Sequence, residues 1–75
     1  MEYSKMTLAE QRTLSIDQLP TDVIRTWNEW RDNFDESTIE KKQANSARLR
    51  AHFAACKAAG INAAAVAYIM KLGQK

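Results

Sequence analysis

Hydrophobic positions along this chain recur at helical spacing. Val23, Trp27, Trp30 and Phe34 follow one another at steps of four, three and four, which places them in one stripe on a helix. Thr21 is expected to cap that helix, with Asp22 in the first turn where the helix dipole favours a negative charge. Upstream, the Thr7-x-x-Glu10 spacing predicts a short first helix opened by a capping box. Leu19-Pro20 breaks it off, because proline disfavours helical geometry at the residue before it. Downstream, Asp35 or Ser37 is expected to cap a third, longer helix running toward Ala59. Gly60 ends it in the left-handed conformation, and Ile61 packs back near Cys56 as in a Schellman cap. Asn62 then caps a fourth helix through about Leu72, and Gly73 terminates that one. Nothing reads as strand: the chain has only two glycines, and Ala, Glu, Lys, Gln, Arg and Leu dominate it. The expected fold class is all-α, one helical domain spanning residues 1–75 with a long helix, a Gly60 turn and a short C-terminal helix.

The third helix sorts its side chains by face. Leu49, Phe53 and Cys56, with Ser46, form a stripe suited to Trp27, Trp30 and Phe34, and that pairing is the expected core. On nearly the opposite side Ala44, Ala47, Ala51, Ala54 and Ala58 make a heptad seam of alanine, as in a coiled coil, where a second helix can approach closely. The plainer account is that alanine is the best helix former. The fourth helix is apolar nearly all round, with Val66, Ile69 and Met70 on one side and Ile61, Ala65, Tyr68 and Leu72 on others. A helix of that kind is buried on more than one side, and so small a chain has little protein to cover it. The alanine seam with Val66, Ile69 and Met70 is therefore the expected interface of a homo-dimer or higher oligomer.

Charge changes the picture. The net +2 divides into −3 over residues 1–35 and +5 over residues 36–75, so the C-terminal half suits a polyanion or an acidic partner. Attraction between the two halves across a dimer would account for the same asymmetry. One polar edge of the long helix carries Lys41, Asn45, Arg48 and His52, and the other carries Gln43, Arg50 and Lys57. A helix flanked by cations can track a phosphate backbone, which makes Lys41, Lys42, Arg48, Arg50 and Lys57 the candidate DNA contacts; a merely solvated rim is the competing account.

Catalytic chemistry is not legible. There is no glycine-rich phosphate loop, no nucleophile and base at a recognisable spacing, and no carboxylate pair in an apolar setting. Asp17, Asp22, Asp32, Asp35 and Glu36 sit where caps and solvated turns put them, so an enzyme is not expected and no cofactor is implied. His52 and Cys56, four apart, are too few for a closed zinc site, so Cys56 is expected in the core and His52 on a polar edge, unless a metal bridges two subunits. Trp27 and Trp30 are expected in the core rather than as a base-stacking platform, or as a protein anchor if the stripe is wider than the core. One cysteine builds no disulfide framework, and no leader pattern is present near Glu2. The uncharged run from Ala58 to Met70 is shorter than a bilayer needs, so no membrane partner is expected and the location is cytoplasmic, or nucleoid if DNA is bound.

Two resemblances bear on function. His52 to Lys71 resembles a helix-turn-helix, with small Ala55 and Cys56, Gly60 in the turn, and Ile61, Val66 and Ile69 at buried spacings. Its second helix offers Asn62, Ala63, Ala64, Ala67 and Tyr68 outward, without the arginine, lysine or glutamine that reads base edges. The segment "ARLRAHFAACKAAGINAAAVAYIMKL" resembles the C-terminal part of the GapR family of nucleoid-associated proteins through Phe53, Ala55, Cys56, Lys57, Gly60, Ile61 and Asn62, then Val66, Ile69 and Leu72. That resemblance implies a dimer or higher oligomer surrounding overtwisted DNA through backbone contacts, with Lys57 and Lys71 as phosphate contacts. The family's last helix is rich in lysine and arginine, and alanines stand in those places here. The expected function is a small DNA-associated protein binding through phosphate contacts. The alternative is an adaptor or inhibitor of the kind common among phage products, binding a cellular protein through its acidic half; a sequence-specific helix-turn-helix regulator is third.

Overall fold

The structure is a computed structural model that describes residues 3–73. Glu2 and Lys75, which enter the two half-chain charges, lie outside the described residues. The chain forms α1 (Leu8–Gln11), α2 (Thr21–Asp32), α3 (Ile39–Ala59) and α4 (Ala63–Gly73), with single 3-10 turns at Tyr3–Lys5 and Ile16–Gln18. No strand occurs among the described residues, so the fold is all-α with a long helix, a Gly60 turn and a short C-terminal helix.

Local hydrogen bonding explains the boundaries. Thr7 Oγ1 accepts from the Glu10 N–H at 3.2 Å and Glu10 Oε1 accepts from the Thr7 N–H at 3.0 Å, the capping box expected there. The first helix is shorter than expected: it closes at Gln11, and a second reciprocal pair, Ser15 with Gln18, makes a separate turn before Pro20. Thr21 is the first residue of α2 and Pro20 takes the cap position, since proline needs no donor there. Neither Asp35 nor Ser37 caps α3; Thr38 does, accepting from the Lys41 N–H at 3.1 Å, while Asp35 Oδ1 holds the Ser37 N–H at 2.9 Å. At the other end Gly60 has φ 79°, and the Ile61 and Gly60 amides donate to Cys56 and Lys57 carbonyls, the two bonds of a Schellman motif. Asn62 Oδ1 accepts from the Ala64 N–H at 2.8 Å to open α4. The chain direction turns through 110° between α3 and α4.

α2 and α3 form an antiparallel hairpin in which Asp35 meets Asn45, Thr26 meets His52, and Thr21 lies beside Ala58 and Ala59. The inward face of α3 differs from the expected one. Asn45, His52 and Cys56 are buried, with Leu49 half-buried among them, whereas Ser46 is exposed and Phe53 and Phe34 are 49% and 51% exposed. The physical reason is that α2 presents a hydroxyl at the centre of the contact. Thr26 Oγ1 lies 3.0 Å from His52 Nδ1, and the Trp27 ring meets the imidazole edge to face at 5.5 Å. The same hydroxyl donates to the Asp22 carbonyl at 2.9 Å, so a phenylalanine there would forfeit the cross-helix bond alone. Asn45 closes the open end of the hairpin, its Nδ2 donating to the Asp35 carbonyl at 2.7 Å and its Oδ1 accepting from the Asp35 N–H at 3.3 Å. Both residues therefore leave the polar edge on which the pattern placed them.

Val66, Ile69 and Met70 are not a surface for a second copy: they are 0%, 5% and 3% exposed within this one chain. The cover is the N-terminal arm. Tyr3 and Leu19 are buried against them, with Met6, Leu14 and Ile16 packed around. Gln11, 4% exposed, fastens the arm: its Nε2 donates to the Tyr3 carbonyl at 2.9 Å and its Oε1 accepts from the Asn62 N–H at 2.9 Å. Tyr3 Oη donates to the Gln18 carbonyl, and the Arg12 guanidinium stacks over Tyr68 at 5.4 Å. No single helix among the described residues is long and apolar enough to cross a membrane.

Candidate nucleic-acid interface

Glu40 is the last acidic residue of the chain; beyond it the charged side chains are all cations. On α3 the positions Lys42, Ser46, Arg50, Phe53 and Lys57 step by four, four, three and four, so they run down one side of the helix, and all five are exposed. At 1.5 Å rise per residue the three cations are separated by about 12 Å and about 10 Å along the axis. None of them has an acidic partner among the described residues, since the ion pairs there join Arg25 to Asp22 and Glu29, Arg31 to Asp32, and Lys41 to Asp35. This row is an unneutralised line of charge.

The other candidate contacts do not join it. Lys41 projects toward the α2–α3 loop, where its Nζ sits 3.0 Å from Asp35 Oδ2. The Ser37 N–H and that ammonium together hold the Asp35 carboxyl down at about 2. Arg48, half-buried, stands on the Lys41 edge across the helix from Arg50. Lys71 is exposed on α4, beyond the 110° turn. The six candidate cations thus divide into a row of three, an edge of two, and one apart.

The alanine positions of α3 face outward beside this row. Ala47, Ala51, Ala54 and Ala58 are exposed and Ala44 is half-buried, so the seam does not close within the chain. On the other flank, Trp30, Phe34 and Leu49 form an open groove of about 370 Å³ bordered by Lys42 and Ser46. One turn beyond Leu49 the exposed Phe53 continues this apolar strip between Arg50 and Lys57. The sequence carried a signal for that placement: Phe53 is three residues from Arg50 and four from Lys57, hence on their side.

His52 and Cys56 do touch, with Nε2 to Sγ at 3.6 Å. Burial pushes the imidazole pKa down and the thiol pKa up, which favours the neutral form of each. Nδ1–H donating to Thr26 and Nε2 accepting from the thiol is the tautomer that satisfies both contacts. No group of three or more His, Cys, Asp or Glu side chains that could hold a metal gathers among the described residues.

The neutral histidine makes stability depend on pH. Its folded-state pKa lies below the ordinary value of about 6.5, so on acidification the unfolded chain takes up the proton first. The contribution is full above about pH 6.5 and is lost as pH falls toward the folded pKa. His52 is the only histidine. The carboxyls of Glu10 and Asp35, held low by the Thr7 and Ser37 amides, titrate further down. The urea midpoint is therefore expected to fall between pH 6.5 and 5 in the parent chain and to stay level in His52→Gln. Equal midpoints at pH 7 and 5 in the parent would show that His52 is not buried neutral.

No protein-family model, no curated protein and no solved structure matches the chain.

Proposed function

We propose that this chain is a small DNA-associated protein that binds through phosphate contacts from Lys42, Arg50 and Lys57, with Lys71, Lys41 and Arg48 as secondary charge. The observation that carries this reading is the acid-free row of exposed cations on α3, set in a segment that contains no acidic side chain after Glu40. Rows of this kind release counterions from the phosphate backbone and bind with little regard to sequence. The likeness of residues 47–72 to the GapR family supports the same reading, under which the protein would act at the nucleoid. Exposed Ala47, Ala51, Ala54 and Ala58 leave room for a second long helix, and self-association through that face would bring two cation rows onto one duplex.

Sequence-independent binding is favoured over base reading. The 110° turn suits a helix-turn-helix, but outward it offers Asn62 at the cap of α4, Ala64 in the first turn and Tyr68 at mid-helix, and its only cation, Lys71, lies in the last turn. An acidic docking face for a cellular protein partner is the weaker reading, because Asp22, Glu29 and Asp32 on α2 are part-neutralised by Arg25 and Arg31.

The test is fluorescence anisotropy of a labelled random-sequence duplex at several salt concentrations, with the mass measured by light scattering. The parent is expected to lose affinity steeply with salt. Arg50→Glu with Lys57→Glu should weaken binding by about tenfold or more at low salt and reduce the salt slope by about 2. A folded parent that leaves the duplex unbound at low salt refutes the reading; a monomer that binds refutes only the second-helix part.

A further inference from the structure

We infer that the Trp30–Phe34–Leu49–Phe53 strip is a stacking platform for the bases of a single-stranded nucleic acid, whose phosphates lie on Lys42, Arg50 and Lys57. This rests on the phosphate-binding reading and adds the class of strand. Phe34 and Phe53 are among the few large apolar side chains left about half exposed, and both border the same cation row. Trp30 meets Phe34 edge to face at 5.5 Å and 71°, and itself packs on the buried Trp27 at 5.4 Å. That arrangement fixes the Phe34 ring while leaving it half open to solvent. Leu49 lines the groove with Phe34 and lies one turn before Phe53 on α3, and Ser46 adds a hydroxyl beside Lys42.

The occupant follows from charge and shape together. Exposed aromatic rings beside unpaired cations match a ligand that alternates flat apolar groups with anions, which is an unstacked strand. A duplex keeps its bases stacked inside and would leave the rings in water. Glu36 is the one carboxylate on the rim, at the loop end of the groove, and the strand is expected to run away from it toward Lys57.

The experiment compares oligothymidylate with a duplex of equal length by anisotropy at one low salt concentration, following the combined fluorescence of Trp27 and Trp30 in parallel. Both are repeated on Phe34→Leu with Phe53→Leu, a pair that keeps the apolar volume and is checked for folding by its melting curve. The parent should bind the single strand at least about tenfold more tightly than the duplex, with tryptophan quenching. The double variant should lose about tenfold or more for the single strand and little for the duplex. Equal affinity for both strands, or an unchanged double variant, overturns the platform while leaving phosphate binding in place. Failure of both nucleic acids to bind removes both readings. A light-scattering mass that drops in the double variant would give the groove to a second copy and overturn the inference.

Discussion

Trp27→Ala is expected to remove about 3–5 kcal/mol of stability, the range for emptying a buried tryptophan site. A chain of 75 residues commands about 4–11 kcal/mol in all, so the variant should sit at or near the unfolded state. The size of the loss comes from position. Trp27 is 7% exposed and lies where the two packing directions of the molecule cross: its ring meets His52 of α3 and Trp30 of its own helix, and it belongs to the same core as Val66, Ile69 and Met70 of α4. No neighbouring side chain can relax into so large a void without uncovering Thr26 or His52. Urea unfolding followed by circular dichroism measures it. Trp30→Ala should cost less than half as much, because that ring is only half-buried. A Trp27→Ala loss below about 1 kcal/mol would mean that α2 does not bury the face described here.

The second large effect is expected at a polar residue. Gln11→Leu keeps the side-chain volume but removes three contacts: two that fold the arm on itself, to the Tyr3 and Met6 carbonyls, and one that binds it to the α3–α4 turn, from the Asn62 N–H. Orphaned buried groups cost about 1–3 kcal/mol each, and with partial access to water for some of them the sum should be about 2–4 kcal/mol. The loss has a distinguishing local signature. Hydrogen exchange at the Asn62 amide should accelerate out of proportion to the global change, since its acceptor is gone. Loosening of the arm also uncovers Val66, Ile69 and Met70, so the variant is expected to self-associate. A urea midpoint within experimental error of the parent would show that the arm is held by apolar packing alone.

These two residues mark the boundary between what was legible and what was not. Trp27 was readable, because four apolar side chains at steps of four, three and four have one way to lie on a helix. Gln11 gave no signal: its three contacts include one to a residue 51 positions away, and no spacing rule connects them. The same holds for Asn45 and His52. Hydropathy ranks both below Phe53 as candidates for the inside of α3, and only a partner helix carrying Thr26 makes a neutral imidazole the better occupant. Once α3 turns that way, Phe53 and Phe34 move to the surface beside Arg50 and Lys57, and the candidate interface becomes a mixed aromatic and cationic strip rather than two separate charged edges.

What the amino-acid order determined by itself was a set of features whose interactions close within about five residues: the all-α class, the Thr7–Glu10 box, the left-handed Gly60 turn with its two bonds, the Asn62 cap, and the approximate span of each longer helix, while the exact caps of α2 and α3 fell on Pro20 and Thr38, a residue away from the nearest the pattern offered. Those choices are made by backbone donors and acceptors that have no alternative nearby. The tertiary structure decided which face of α3 turned inward, that the N-terminal arm and not a second copy covered Val66, Ile69 and Met70, and how the six cations were divided. Each of these depends on a partner distant in the chain, and the energy that settles it, a buried hydroxyl satisfied or an apolar face covered, exists only after the partner has arrived.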